Sequence, residues 1–210
     1  MNRQTCLTAW GQTMISSSPL GSDKRRHVVE TAYALFKRDG FHATGIDRII
    51  AEAEVAKMTM YRHFPSKDDL IVQVLDYRAR RFDRQLDRLA EGAVTPEQKI
   101  ATIFDWYERW FRSADFHGCL FAHALAEFGN PEHPVFKAVA GQKNGLRRRM
   151  QSILEDMMPP DRAASTAAAL LMLIEGATLM AEMGQADTAI CHARKAAFSI
   201  IAAPSAMTAP

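Results

Sequence analysis

Two short helical patterns meet across a tight turn in residues 44–70, TGIDRIIAEAEVAKMTMYRHFPSKDDL, and this joint constrains the fold more than any other stretch of the chain. Ile46, Ile49, Ile50 and Ala53 recur at helical spacing behind Thr44, which reads as an N-cap whose hydroxyl is also placed to meet a phosphate. After Glu54, Val55 and Ala56, the segment 57–64 turns Met60 and Phe64 inward at i, i+4 and leaves Lys57, Met58, Tyr61 and Arg62 on the outer face. Pro65 ends that helix, and Ser66 reads as the N-cap of a longer one with Asp68 and Asp69 in its first turn. Two helices joined in this way form a helix-turn-helix signature, whose second helix lies in the major groove of DNA.

Over residues 26–70 the chain resembles the TetR family of bacterial transcriptional regulators. The resemblance rests on Ala34, Phe36, Gly40, Phe41 and Thr44, then on Tyr61, Arg62, His63, Phe64, Pro65, Ser66, Lys67 and Leu70. It implies an all-α chain with an N-terminal three-helix helix-turn-helix DNA-binding domain and a larger C-terminal helical domain for ligand binding and dimerisation. Two positions depart from the pattern: Glu54 replaces the usual turn glycine and Ala56 a capping serine. If Glu54 must take a positive φ, the substitution costs about 1 kcal/mol, and the lost cap costs about as much again.

Residue chemistry then divides the labour on DNA. Thr44, Tyr61, His63, Ser66 and Lys67 are expected at phosphates, with the helix N-terminus at Ser66 adding its dipole. Lys57 is expected to donate to guanine, and Met58 and Thr59 to meet thymine methyl groups. Packing at the helix end for His63 and a solvent-facing role for Met58 stand as the alternatives.

A net charge of +2 does not by itself announce a nucleic-acid binder, yet its distribution is uneven. Residues 22–90 hold 14 Lys and Arg against 11 Asp and Glu, and residues 91–210 hold 11 against 13, so the basic half carries the motif. Cys6, Cys119 and Cys191 are widely spaced, lack zinc-site spacing and fit a reducing cytoplasm, the expected location. Residues 1–21 show no sustained period and no secretory pattern and read as a flexible leader. A basic arm for the minor groove is the alternative there, with Lys24, Arg25 and Arg26 as its charge.

The remaining chain reads as helices at about 22–38, 66–90, 96–113, 120–128, 135–157, 162–183 and 186–202, with a flexible tail at 204–210. This divides the molecule into a DNA-binding domain at 22–70, a connecting helix at 71–92 and a ligand-binding and dimerisation domain at 93–203. The arginines of the 66–90 helix interleave with Asp76, Asp83 and Asp87, which favours a solvated face with i, i+4 pairs. Residues 163–183 are apolar nearly all round and must be buried, while Glu175 and Glu182 argue against a membrane span. With the resemblance, this helix and the last one are expected to pack against their copies in a homodimer through Leu170, Leu171, Ile174, Ala177 and Phe198.

Effector binding is expected among Trp106, Trp110, Cys119, Phe121, His123 and Met172, aromatic and soft side chains that serve equally as plain core. Cys119 between His117 and His123 admits a second reading, a thiol-based redox sensor or thiol-dependent enzyme. A metal held by His117, Cys119 and His123 lacks a fourth ligand, and no cofactor or catalytic machinery is expected. The reading as a whole is a cytoplasmic, dimeric repressor, not an enzyme, released from palindromic operator DNA by a small apolar or aromatic effector.

Overall fold

The structure is a computed structural model and describes residues 19–204. Most of the expected leader, Cys6 included, and the last six residues of the expected tail lie outside the described residues. Pro19 already opens α1 (Pro19–Asp39), so the leader ends earlier than its lack of periodicity suggests. Pro at a helix start needs no donor partner and has its φ set for the helix.

The next elements are short: α2 (Ile46–Glu52) and α3 (Lys57–His63) pack with α1 as a three-helix unit. The long α4 (Lys67–Ala90) follows α3 after a three-residue break. The chain continues through α5 (Pro96–Phe111), α6 (Leu120–Glu127), α7 (Pro134–Glu155), α8 (Pro160–Met180), a π-helical stretch (Ala181–Gln185) and α9 (Ala186–Ala202). No strand occurs among the described residues, as the absence of apolar-polar alternation requires.

Local chemistry sets several of these boundaries. Ser66 Oγ accepts from the Asp69 amide at 3.0 Å and starts α4. Thr95 and Gln98 form a capping box that starts α5, with Pro96 beside it. Gly184, at φ 84, interrupts the apolar run so that α9 folds back along α8.

Two buried clusters hold the fold. One joins Phe36, Phe41, Ile49, Met60, Phe64 and Leu70 to Leu120, Phe121 and Val135 of α6 and α7. The other joins the far end of α4 to α5, α8 and α9 through Phe82, Phe104, Trp106, Leu170 and Ile174. These clusters do not follow chain order, because α6 and the start of α7 pack on the N-terminal three-helix unit. Each fully buried Phe, Leu or Ile stabilises this arrangement by about 1.5–3 kcal/mol.

Candidate nucleic-acid interface and regulatory clefts

On α3, Met60 and Phe64 are buried while Lys57, Met58, Tyr61 and Arg62 face outward. Met60 on the seven-residue helix and Phe64 at its C-cap leave this outer face to water, and Met58 is 83% exposed. Thr59 is half-buried. Lys57 Nζ lies 3.2 Å from Asp47 of α2, so its ammonium must exchange that carboxylate for any other acceptor. Arg62 makes no ion pair among the described residues, although its place one turn beyond Met58 marks it as part of this face.

The turn before α3 has the features that the two sequence departures imply. Glu54 sits at φ 49, the one non-glycine with positive φ among the described residues, and Ala56 caps α3 without a side-chain hydrogen bond. An L-residue held there costs about 1–2 kcal/mol.

Thr44 corrects an expectation. Gly45, not Thr44, is the N-cap of α2, and the Thr44 hydroxyl donates to Gly40 O at 2.7 Å. Its side chain is fully buried, so it staples the α1–α2 turn and has no surface to offer a phosphate. Ser66 is exposed beside Lys67, whose Nζ donates to His42 O at 3.4 Å. His63 is half-buried and its Nε2 is buried without a partner. Burial first, then Arg62 and Arg25, holds its imidazole below the usual range.

A contact not legible in the sequence joins α6 to this unit. The Glu127 carboxylate accepts from the amides of Phe41 at 2.9 Å and His42 at 2.5 Å, and lies 2.6 Å from His42 Nδ1. Burial raises its pKa, but these hydrogen bonds outweigh burial and hold it below the usual carboxylate range. Phe128 stacks on His42 and on His133, and His133 Nε2 lies 3.2 Å from Asp68 at the start of α4. No periodicity rule pairs a residue near 127 with one near 41, so only the fold reveals this joint.

The expected effector residues do not converge on one site. Trp106 and Trp110 line a cleft of 460 Å³ between α4, α5 and α1. Phe121 lines a different cavity of 560 Å³ between α4 and α7, where Gln142 Oε1 is buried without a partner. Burial pushes the Asp83 carboxyl of that cavity upward. Met172 is 68% exposed on the outer side of α8, so it lines neither.

Cys119 and His123 belong to a polar cluster between α6, α7 and α8. The Cys119 amide donates to Glu182 Oε1 at 2.8 Å, and His123 Nε2 lies 3.5 Å from the other Glu182 oxygen. Lys143 reaches Glu175 at 2.7 Å and Cys119 Sγ at 3.5 Å. Burial lowers the Lys143 pKa, but Cys119 and Glu175 outweigh it and raise the ammonium above its usual range. Gly118, at φ 83, leaves no room for a Cβ against Glu182, which explains a glycine before a buried cysteine.

The expected dimer seam also needs correction. Leu170, Ile174 and Ala177 are buried in the chain's own core, and Leu171 and Phe198 are half-buried against it. Ala163, Thr166, Ala167, Leu170, Ile174 and Ala177 recur at helical spacing and form the inner face of α8. The opposite face presents Met172, Leu179 at 59% exposure and Met183 at 65%. By length and apolarity the Pro160–Ala202 run would also cross a membrane, yet 39% of its most apolar window is covered inside the fold.

Residues 28–74 match the family model described as bacterial regulatory proteins, tetR family. Over 91 residues the chain is 33% identical to the HTH-type transcriptional repressor KstR of Mycolicibacterium smegmatis, which covers 41% of this chain and 45% of KstR, less than half of that relative. Over 167 residues it is 27% identical to the HTH-type transcriptional regulator Rv0196 of Mycobacterium tuberculosis, covering 76% of this chain and 84% of the relative. The fold matches that of SCO4454, a TetR-family transcriptional regulator from Streptomyces coelicolor, with a TM-score of 0.79 and 28% identity over 86% of this chain and 95% of that one. Residues 28–74, with the helix-turn-helix at α2–α3, thus belong to the tetR family of bacterial regulatory proteins, and the all-helical chain as a whole is similar in fold to a TetR-family regulator.

Proposed function

We propose that this protein is a DNA-binding transcriptional regulator, acting in the cytoplasm as a homodimeric repressor that a small molecule releases from a palindromic operator. The observation that carries the reading is α3: a short helix that leaves Lys57, Met58, Tyr61 and Arg62 in water and is anchored from behind by Met60 and Phe64. Lys57 and Arg62 supply donors for guanine and phosphate, Met58 an apolar contact for thymine methyl, and Ser66 and Lys67 a phosphate seat at the start of α4. The repressor sign follows KstR, a transcriptional repressor similar to this chain over 91 residues.

Assembly is assigned to the outer face of α8, where Met172, Leu179 and Met183 form an apolar stripe at helical spacing with the exposed Gly176 between them. Gly176 lets two helices approach closely there. Two links carry a signal to α3: the unbroken α4, and the Glu127 clamp on the α1–α2 turn. A ligand acts through them only by binding two arrangements of the dimer unequally.

A gel shift with the promoter fragment next to the protein's own gene tests the reading. Specific retardation by the wild-type chain, lost in a Lys57→Ala/Arg62→Ala variant of unchanged helicity, is the expected result. Equal retardation of that fragment and of unrelated DNA by both proteins would show that α3 reads nothing.

A further inference from the structure

The α4 arginines were expected to be neutralised by aspartates along their own helix, and for most of them the structure shows otherwise. Arg80 pairs with Asp76, but Asp87 is taken by Arg149 of α7. None of α4's aspartates stands three or four residues from Arg78, Arg81 or Arg88, and these three have no carboxylate partner among the described residues. They recur at i, i+3 and i+10 on the side of α4 that faces α5, and all three line the 460 Å³ cleft.

The facing wall adds a fourth guanidinium and two indoles. Arg109 donates only to the Asp105 backbone oxygen at 3.2 Å. Trp106 and Trp110 lie one turn apart with ring centroids 5.3 Å apart and planes tilted by 35°, and the Arg78 guanidinium sits 5.5 Å over Trp106 and 5.9 Å over Trp110. Gln85 holds the Trp106 indole by accepting from Nε1 at 3.0 Å. Asp105 and Glu108, just outside the cleft, are taken by Arg194, and Asp115, the one acid among the lining residues, is paired with Lys37.

Four guanidiniums around one cleft repel one another, and that repulsion is relieved when an anion enters. Arginine forks grip carboxylate, sulfonate or phosphate oxygens in pairs, while tryptophan faces take a flat apolar body. The cleft volume lies in the range of small-molecule sites, about 300–1,000 Å³. We propose that this cleft is the effector site and that it takes an organic anion with a flat or extended apolar body, which adds a negative charge to the small apolar or aromatic effector expected from composition. The proposal rests on reading the chain as a ligand-released regulator. Tyr33 of α1 forms part of the wall, so an occupant touches the three-helix unit directly.

The test uses the full-length protein and two probes of similar shape, 8-anilinonaphthalene-1-sulfonate and the uncharged N-phenyl-1-naphthylamine. The sulfonate is expected to bind once per chain, to quench tryptophan emission, and to bind about tenfold or more tightly than the neutral amine, as charge-assisted hydrogen bonds require. Arg81→Gln/Arg109→Gln, two exposed positions outside the core, should weaken the sulfonate about tenfold and leave the amine within about twofold. A Trp110→Leu variant should weaken both probes. Unchanged sulfonate affinity in the arginine variant, or equal affinity for the two probes, overturns the site. Operator retardation is recorded before and after adding the sulfonate. Loss of the shift supports the effector role, a shift that survives saturation overturns it, and no shift before addition counts against the regulator reading alone, with the arginine comparison still deciding the site.

Discussion

Both ends of this molecule expose large apolar side chains, for opposite reasons. On α3, Met58 is exposed because a seven-residue helix and its C-cap have room for only two fully buried anchors, Met60 and Phe64; Thr59 and His63 are half-covered, and Lys57, Met58, Tyr61 and Arg62 face out. On α8, a 21-residue helix already buries a full inner stripe and still carries Met172 and Leu179 on the far side, with Met183 just beyond. Exposure on α3 follows from shortness and on α8 from surplus. A short helix presents a reading surface by default, whereas a long apolar helix has two candidate faces and needs neighbours to choose between them.

The largest effects should come from exchanging those faces. Ile174→Arg places an unpaired charge in the core and should cost about 3–5 kcal/mol, seen as a collapse of the thermal transition. Met172→Arg/Leu179→Arg should leave the melting temperature of the subunit nearly unchanged and convert the protein to a monomer in sedimentation velocity. If the outer-face variant stayed dimeric, the two-face assignment of α8 would be wrong.

Next come the charges on the DNA side. Arg62→Ala and Lys67→Ala should each weaken specific and non-specific binding alike and lower the salt dependence by about one phosphate per half-site. Lys57→Ala should relax base choice by about 1–3 kcal/mol at one position. A binding isotherm at several salt concentrations separates these behaviours, and identical slopes for all three variants would erase the distinction between reading and seating.

The joint between the two regions offers a third test. Glu127→Ala removes the acceptor for two backbone amides of the α1–α2 turn, and should cost about 1–3 kcal/mol through the unpaired amides. It should blunt ligand-induced release more than it weakens DNA binding without ligand. Full release in this variant would leave α4 as the sole lever.

A smaller effect is expected at the strained turn. Glu54→Gly should stabilise the fold by about 1 kcal/mol, roughly 2–4 °C in melting temperature for a chain of this size, and should tighten DNA binding by removing a carboxylate near phosphates. The smallest effect concerns His63. Because its pKa is lowered in the folded chain, the unfolded chain takes up the proton first as pH falls through 6.5. Stability should therefore be level above that pH and decline below it, and His63→Gln should flatten that decline in melts recorded from pH 7.5 to 5.5.

Residues 44–70 were legible almost to the residue because their signals are local: Pro65 stops a helix, Ser66 caps one, and Met60 and Phe64 at i, i+4 set which side of α3 is hidden. The positive φ at Glu54 follows from the same local geometry. Helix ends elsewhere were marked by Thr95, Pro96, Pro134 and Pro160, whose effects act within one turn. What the chain alone could not decide involves residues far apart in it. Thr44 looks like a cap until Gly40 O is seen to take its hydroxyl, and Leu170 and Ile174 look like a seam until α8 is turned inward. Arg78, Arg81 and Arg88 look like part of a solvated helix face until α5 is found to set Trp106, Trp110 and Arg109 against them. Propensity, capping and periodicity are properties of a few neighbouring residues, and so the amino-acid order determined the helices, the turn and the reading face of α3. The inner stripe of α8, the charge of the Trp106–Trp110 cleft and the Glu127 clamp depend on which distant side chains compete for the same space and the same partners, and tertiary packing alone settled them.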